Sequence, residues 1–377
     1  TMLGLGLLGR GVNVAKFLAE LGAELLITDL KSREALALSC KRLKKFEDRG
    51  QIQYVFGEHR LEDFRDRDIV IKAAGVPLDS PYVAEAKKNG IPVEMDASLF
   101  MKYSPASTVG ITGTRGKTTT TYLIHHILRT AEKKVFLGGN VRGIATLPLL
   151  KKVRTNDVVV LELDSWQLQG FGEVKMSPQV SVFTNFFPDH LNYYRGHMDR
   201  YFRDKANIFK YQDKKGVLVL GEQAAKEVKD RHKGIFKSKV VLARKNIVPK
   251  TWKIKLMGEH NLSNIACAVV ACRNFGIPEK DIKHGVETFL GVPGRLELLR
   301  IVRGVRYVND TTATTPEGNR AAILALSKKG KKTINLIAGG ADKLLDYTDM
   351  ATLINKTVKS LVLIKGAATE KILAKLP

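Results

Sequence analysis

The sequence predicts an α/β protein built on parallel sheets, and three observations predict it. Along the 377 residues, strand-like apolar runs alternate with amphipathic helical ones, as in chains that cross from strand to helix to strand. Two glycine-rich loops, Gly4–Gly9 and Gly110–Gly116, each stand between a strand and a helix. Runs such as DVVVLELDS (157–165) are continuously apolar rather than alternating, which suits strands covered on both faces.

The elements fall into three segments. The first, residues 1–105, opens with Gly4-Leu5-Gly6-Leu7-Leu8-Gly9. Val14, Phe17, Leu18 and Leu21 then recur at i, i+3, i+4 and i+7, marking one face of a helix that Gly22 ends. ELLITD reads as the next strand, and DIVIKAAGV as a later one that meets a turn at Gly75. A first strand normally needs more residues ahead of its glycine turn, so the N-terminus is expected to be clipped. YSPAS reads as the linker to the second segment, residues 106–292.

That segment starts with VGITGTRGKTTTTYL, whose helix carries an apolar stripe of Leu123, Ile124, Ile127 and Leu128. DVVVLELDS and VSVFTNFFPDH read as buried strands with acids or a histidine at their C-terminal ends, the edge where open α/β sheets place ligands. HNLSNIACAVVACRNFGIP reads as a helix with polar start signals and a Gly-Ile-Pro stop. The third segment, residues 293–377, holds GVRYVNDTTATTPEG, a helix from about Pro316, and the strands TINLIAGGADK and LVLIKGA. It is short for a complete α/β unit and is expected to be incomplete.

Composition narrows the function classes. No apolar run approaches a membrane span, and no secretory leader shows. Cys40, Cys267 and Cys272 form no C-x-x-C pair, which fits reduced thiols in a cytoplasmic protein. The excess of 62 Lys and Arg over 38 Asp and Glu gives a net charge of +24, densest around Lys226–Lys255. Such a field attracts nucleic acid, anionic lipid or phosphorylated small molecules; equally, it suits a lysine-rich solvated surface. No RNP, zinc-finger or helix-turn-helix signature accompanies it.

The two loops carry the chemistry. Gly4, Gly6 and Gly9 fit G-x-G-x-x-G, and Asp29 lies at the tip of the second strand. A helix N-terminus approached closely by backbone suits a diphosphate, and an acid there suits a ribose hydroxyl. Alone, this reads as NAD, another diphosphate nucleotide, or a packing turn. The second loop is more specific. Gly113-Thr114-Arg115-Gly116-Lys117-Thr118 has the Lys-Thr pair of a P-loop, although its glycines miss the strict spacing. Backbone N–H groups would wrap phosphates, Lys117 would bridge them and Thr118 would meet Mg²⁺. Glu162, ending a buried strand, is a candidate Mg²⁺ ligand. His190 follows Asp189 at another expected strand end. Lys205, from the sequence alone, is an ordinary solvated lysine, and His260, Asn261 and Asn264 suit helix caps.

TGTRGKTTT resembles the loop of the Mur ligase superfamily. GGNVRG, VVLELDSWQLQ, FTNFFPDHLNYY, KANIF, GEHNLSNIACAV, GVPGRLE, YVNDTTATTPEG and IAGGADK follow in that family's order and span nearly the whole chain. LELDSWQLQ and NDTTATTPEG are most similar to its D-glutamate-adding branch. The resemblance implies a Rossmann-like first domain holding UDP, not NAD, a central P-loop ATPase domain, and a Rossmann-like C-terminal domain. It implies ATP and two Mg²⁺ as cofactors, and UDP-N-acetylmuramoyl-L-alanine and D-glutamate as substrates. Membrane and nucleic acid are not expected as partners, and a monomer is.

Residue by residue, the resemblance places Gly6, Leu7, Leu8, Asp29, Lys31, Gly75 and Asn140 on the UDP-substrate. Gly113, Thr114, Gly116, Lys117, Thr118, Thr119, Asn264, Arg295 and Asp310 fall on ATP. Thr118, Glu162, His190 and a carbamylated Lys205 fall on the metals, and Thr314 and Lys343 near the incoming amino acid. Lys117, Asn140, Glu162, His190 and Lys205 are the catalytic set. Asp164, Thr312 and Gly294 stand where the family usually has serine, lysine and histidine. The family's C-terminal serine and phenylalanine that grip D-glutamate have no counterpart. Three other readings stay open: a different amino-acid-adding relative or folylpolyglutamate-type synthetase, a nucleic-acid-stimulated ATPase, and a non-catalytic nucleotide-binding module.

Overall fold

The computed structural model describes residues 1–377 apart from Leu8, Lys329, Lys343, Leu344 and Pro377. Three groups of strands organise it. The first is a five-stranded parallel sheet of β1 (Met2–Leu3), β2 (Leu25–Asp29), β3 (Ile52–Phe56), β4 (Val70–Lys72) and β5 (Val93–Glu94), in the order β3-β2-β1-β4-β5. The second is a six-stranded parallel sheet. It contains β6 (Ser107–Thr112), β7 (Val135–Gly139), β8 (Val158–Glu162), β9 (Val180–Phe183), β10 (Val217–Gly221) and β11 (Lys239–Ala243), in the order β11-β10-β9-β6-β8-β7. The third group is an antiparallel hairpin of β12 (Glu297–Val302) and β13 (Val305–Asn309), and a parallel pair of β14 (Ile334–Gly339) and β15 (Val358–Ile364).

Strand order decides where ligands can sit. In the first sheet the chain runs outward from β1 to β3, then restarts beside β1 with β4. In the second it runs from β6 through β7 and β8 on one side, then through β9 to β11 on the other. Each reversal leaves a crevice at the C-terminal strand ends, the usual ligand position of open α/β sheets. The Gly4–Gly9 turn follows β1, and the Gly113–Gly116 loop follows β6.

Continuous apolar strands demand cover on both faces, and helices supply it. Leu123, Ile124, Ile127 and Leu128 of helix Lys117–Thr130 are fully buried. They join one core with helix His260–Arg273, which is apolar nearly all round and buried from Ile265 to Cys272. Cys40, Cys267 and Cys272 are buried free thiols. No helix is long and apolar enough to cross a membrane among the described residues.

Local differences from the sequence reading have physical causes. The helix after the first glycine turn ends at Glu20, so Leu21 caps it and is 64% exposed instead of joining the apolar face. VSVFTNFFPDH is strand only over Val180–Phe183. Beyond it, Thr184 and Asn185 turn to grip the phosphate loop, so Asp189 and His190 lie on a loop and not at a strand end. The β12–β13 hairpin has no counterpart in the sequence reading, which took the sheets as parallel.

Candidate active site

Two glycines shape the phosphate loop, and only glycine fits either place. Gly113 has φ +146°, and a Cβ there would meet Thr184 Oγ1 at 2.0 Å. Gly116 has φ +79°, and its Cβ would meet Asn264 Oδ1 at 2.1 Å. The chain after β9 grips the loop from the side. The Thr114 N–H donates to the Asn185 carbonyl (2.9 Å), the Arg115 N–H to Asn185 Oδ1 (2.8 Å), and Thr184 Oγ1 to the Arg115 carbonyl (2.6 Å).

Two lysine amines converge on this loop. Lys117 Nζ donates to the carbonyls of Gly113 (3.0 Å) and Thr114 (3.1 Å). Lys205 Nζ, from helix Met198–Ala206, donates to the same Gly113 carbonyl (2.9 Å) and to Thr112 Oγ1 (3.3 Å). Lys205 is 1% exposed, far from the solvated lysine that its sequence context suggested. Burial lowers the pKa of both amines. That of Lys205 falls well below lysine's ordinary value, with the Lys117 charge pressing the same way.

Glu162 ends β8 beside the loop strand β6 and is buried, yet its Oε2 has no hydrogen-bond partner among the described residues. Burial raises its pKa, against the charges of Lys117 and Arg295 and a hydrogen bond with Thr118. Arg295, from the third strand group's side, donates through Nη2 to Thr118 Oγ1 at 2.9 Å. Asp310 accepts the Leu296 N–H at 2.9 Å and so braces the turn that carries Arg295. Thr119 is buried in the first turn of helix Lys117–Thr130, and Asn264 Nδ2 donates to Asn261 Oδ1 at 2.8 Å.

His190 sits at φ +51°, with its ring 4.8 Å from that of Trp166. Its N–H donates to Asp189 Oδ1 (3.0 Å), and Arg115 Nη1 donates to Asp189 Oδ2 (2.9 Å). Burial would raise the Asp189 pKa, but the charges of His190 and Arg115 and these two hydrogen bonds outweigh it and hold the carboxyl below its ordinary range.

The first sheet presents its own turn. Asp29 Oδ2 accepts the N–H groups of Leu5 and Gly6 (2.9 Å each), and Oδ1 that of Lys31 (3.0 Å). Asp29 thus holds the glycine turn and the Lys31 backbone together. Gly11, outside the G-x-G-x-x-G reading, is the close-approach position, since its Cβ would meet the Leu5 carbonyl oxygen at 2.2 Å. Leu7 is exposed, and nothing crowds Gly75 within 4 Å. Asn140 bridges the two sheets: its N–H donates to the Glu162 carbonyl (2.6 Å), and its Oδ1 accepts from Arg10 Nη2 (3.2 Å). Thr314 is exposed beside Thr315, whereas Leu8 and Lys343 lie outside the described residues.

Lys117, Thr118, Glu162, Lys205 and Arg295 therefore meet at the phosphate loop, with Asn140 and His190 at its borders. Sequence reasoning missed three residues here. Arg10 directly follows Gly9 and reaches Asn140. Arg115 lies inside the loop, and Lys72 is a charge within an apolar strand. Lys72 is 2% exposed and donates through Nζ to the carbonyls of Ala73 (3.2 Å) and Val76 (2.6 Å), fastening the turn that carries Gly75. Its charge inside DIVIKAAGV was the available signal.

Known proteins resemble this chain in sequence and fold. A family model described as the Mur ligase middle domain matches residues 111–272. The UDP-N-acetylmuramoylalanine–D-glutamate ligase of Roseiflexus sp. (strain RS-1) is 37% identical over 400 residues, covering 98% of this chain and 84% of that protein. This chain belongs to the Mur ligase family. The ligase of the same name from Borreliella afzelii (strain PKo) is 35% identical, covering 99% of this chain and 83% of its own. Among solved structures, the UDP-N-acetylmuramate–alanine ligase of Thermotoga maritima has a TM-score of 0.60 at 20% identity, covering 99% of this chain and 87% of that one. The MurF ligase of the same organism, in complex with ADP, has a TM-score of 0.56 at 16% identity, covering 94% and 87%. At those identities the likeness is one of fold, and it is the three-domain α/β fold of Mur ligases. Mur ligases are ATP-dependent enzymes that form amide bonds, and this chain is one of them.

Proposed function

We propose that this Mur ligase adds D-glutamate to UDP-N-acetylmuramoyl-L-alanine, in the cytoplasm and as a monomer, to build a peptidoglycan precursor. The relatives' shared name supports the substrate assignment. In this reading residues 1–105 hold the sugar nucleotide, 106–292 hold ATP, and 293–377 bring the amino acid. The observation that carries the chemistry is Glu162, a buried carboxylate with an unpartnered oxygen beside Lys117 and Thr118.

A carboxylate resists attack by an amine, because its charge repels electrons and oxide is a poor leaving group. Transfer of a phosphoryl group from ATP gives an acyl phosphate, the amine of D-glutamate attacks it, and phosphate leaves. The chain's part is to bind, align and neutralise. Backbone N–H groups of Gly113 and Gly116–Thr119 cradle the phosphates, while those of Thr114 and Arg115 are held by Asn185. Lys117 and Arg295 offset charge on the transferring group, and Asn264 and Asp310 fix the nucleotide's position. Gly6, Leu7, Asp29, Lys31, Gly75 and Asn140 place the sugar nucleotide, and Thr314 serves the amino acid.

Oxygen donors such as Glu162 and Thr118 suit Mg²⁺, which takes one or two carboxylates plus water and phosphate rather than a full protein cage. Among the described residues there is no group of three or more His, Cys, Asp or Glu that could hold a metal; the oxygens of Glu162 and Thr118 are the donors at the phosphate loop. His190 and a carbamylated Lys205 would add their donors to those of Glu162 and Thr118 in holding two such ions. When bound, Mg²⁺ would supply Lewis-acid neutralisation of the phosphates. The depressed pKa of Lys205 supports its carbamylation, because only a neutral amine adds to carbon dioxide.

The test is a phosphate-release assay with ATP, UDP-N-acetylmuramoyl-L-alanine and a panel of amino acids. Release that requires D-glutamate and disappears in Lys117→Ala is expected. Release with a different amino acid would reassign the substrate, and full activity in Lys117→Ala would remove the mechanism.

A further inference from the structure

The basic surface is not uniform, and one part of it is built unlike the rest. Two segments, 210–216 and 232–239, lead into β10 and β11. They are joined to each other: the Lys239 N–H donates to the Gly216 carbonyl (3.0 Å) and Ser238 Oγ to Gln212 Oε1 (2.9 Å). Together they expose Lys210, Lys214, Lys215, Lys233, Lys237 and Lys239 against a single acid, Asp213. From the middle of the second segment, in the run His232-Lys233-Gly234-Ile235-Phe236-Lys237, Ile235 projects with 94% of its surface exposed. It is the most exposed large hydrophobic residue described.

The loop that carries Ile235 is anchored. Phe236 packs its ring 4.7 Å from that of His232 and 5.6 Å from that of buried Phe209. One neighbour is thus turned into the protein while the aliphatic side chain is turned out among lysines. All of this sits at the N-terminal ends of β10 and β11. The phosphate loop follows the C-terminal end of β6, which runs parallel to them through β9. A flat partner on the lysine face would leave the active-site cleft open.

The geometry points to this face as a docking surface for an anionic lipid bilayer, with Ile235 entering the headgroup boundary and the six lysines resting on the phosphates. Charge complementarity carries the choice: the face is cationic within a chain of net charge +24, and juxtamembrane lysines each strengthen adsorption to an anionic leaflet roughly fivefold. The projecting side chain argues for lipid over nucleic acid. Single strands are held on open aromatic faces, and here the aromatic rings of His232, Phe236 and Phe209 are packed on one another. Lipid takes an aliphatic side chain readily. The inference departs from the sequence expectation of no membrane contact, and it is independent of which amino acid the enzyme adds.

Co-sedimentation of the whole chain with vesicles tests it, using equimolar phosphatidylglycerol and phosphatidylcholine, phosphatidylcholine alone, and a single-stranded oligonucleotide as competitor. Binding to the anionic vesicles, weakened by salt, and little binding to phosphatidylcholine are expected. Replacing Lys233, Lys237 and Lys239 together by Gln should lower partitioning about 100-fold. Ile235→Ser should lower it roughly tenfold with no change in salt dependence. Both variants should keep ligase turnover in solution and the parent's unfolding temperature. No adsorption to anionic vesicles, or adsorption that both variants retain, overturns the proposal. So does an oligonucleotide bound equally well by the parent and Ile235→Ser that displaces the vesicles completely.

Discussion

Arg115, inside the phosphate loop, donates through Nη2 to Thr315 Oγ1 at 2.7 Å. Thr315 is the N-cap of helix Pro316–Leu326, and its hydroxyl also accepts the Gly318 N–H at 3.3 Å. One side chain of the nucleotide loop is therefore fastened to the start of a helix that follows the β12–β13 hairpin. Through Nη1 the same guanidinium holds Asp189, the neighbour of His190.

This contact predicts coupling between distant segments. Thr315→Ala should cost about 1 kcal/mol of stability through the lost cap. Arg115→Met should raise the KM for ATP and lower kcat. A double-mutant cycle on kcat/KM should give a coupling energy of about 1 kcal/mol between the two positions. Strict additivity would mean that the bond does not act during turnover.

Glu162→Gln keeps the size of the side chain and removes its charge. The variant should require at least about tenfold more Mg²⁺ for half-maximal phosphate release and lose at least about 100-fold in kcat. A magnesium titration of the parent and the variant measures both, and an unchanged midpoint would take Glu162 out of the metal site.

Gly113→Ala should be among the most damaging small substitutions. The new Cβ would meet the Thr184 hydroxyl at 2.0 Å, and a φ of +146° is strained for any residue with a side chain. A loss of about 2–4 kcal/mol is expected, read as a lower thermal midpoint together with lost ATP binding in calorimetry.

Lys72 predicts a pH dependence. Burial lowers its pKa from 10.5 to about 8, only partly offset by the charges of Asp164, Asp204 and Glu173. Between those two values the unfolded chain binds the proton and the folded chain does not, so stability rises with pH across that window. The burial penalty, about 3 kcal/mol by the size of the shift, is in full force below pH 8 and fades toward pH 10.5. Lys72→Met should abolish this rise. Unfolding of the parent and the variant at intervals from neutral pH to pH 10 measures it.

Residues that announce themselves by type and spacing were legible in the sequence. Gly113 and Gly116 sit between strand and helix as expected, Lys117 and Thr118 open the helix, and Glu162 ends its strand beside them. The apolar stripe Leu123, Ile124, Ile127 and Leu128 is buried as its spacing requires. What escaped depends on contacts between residues far apart in the chain. Nothing local to Lys205 says that it will be buried against the Gly113 carbonyl. Nothing local to Arg10 says that it will reach Asn140. The end of β9 was misplaced because apolar character runs on past Phe183 through Phe186 and Phe187, while Thr184 and Asn185 are turned aside by bonds to the phosphate loop. Leu21 failed as a core residue because helix periodicity does not reveal where the helix stops.

The carbonyl oxygen of Gly113 accepts from both Lys117 and Lys205. Burial and the Lys117 charge both press Lys205 toward its neutral form. The two amines share one acceptor yet are pushed toward different protonation states. In the proposed reading Lys117 is then the cation of the pair that meets a polyphosphate, and Lys205 is the amine left open to covalent modification.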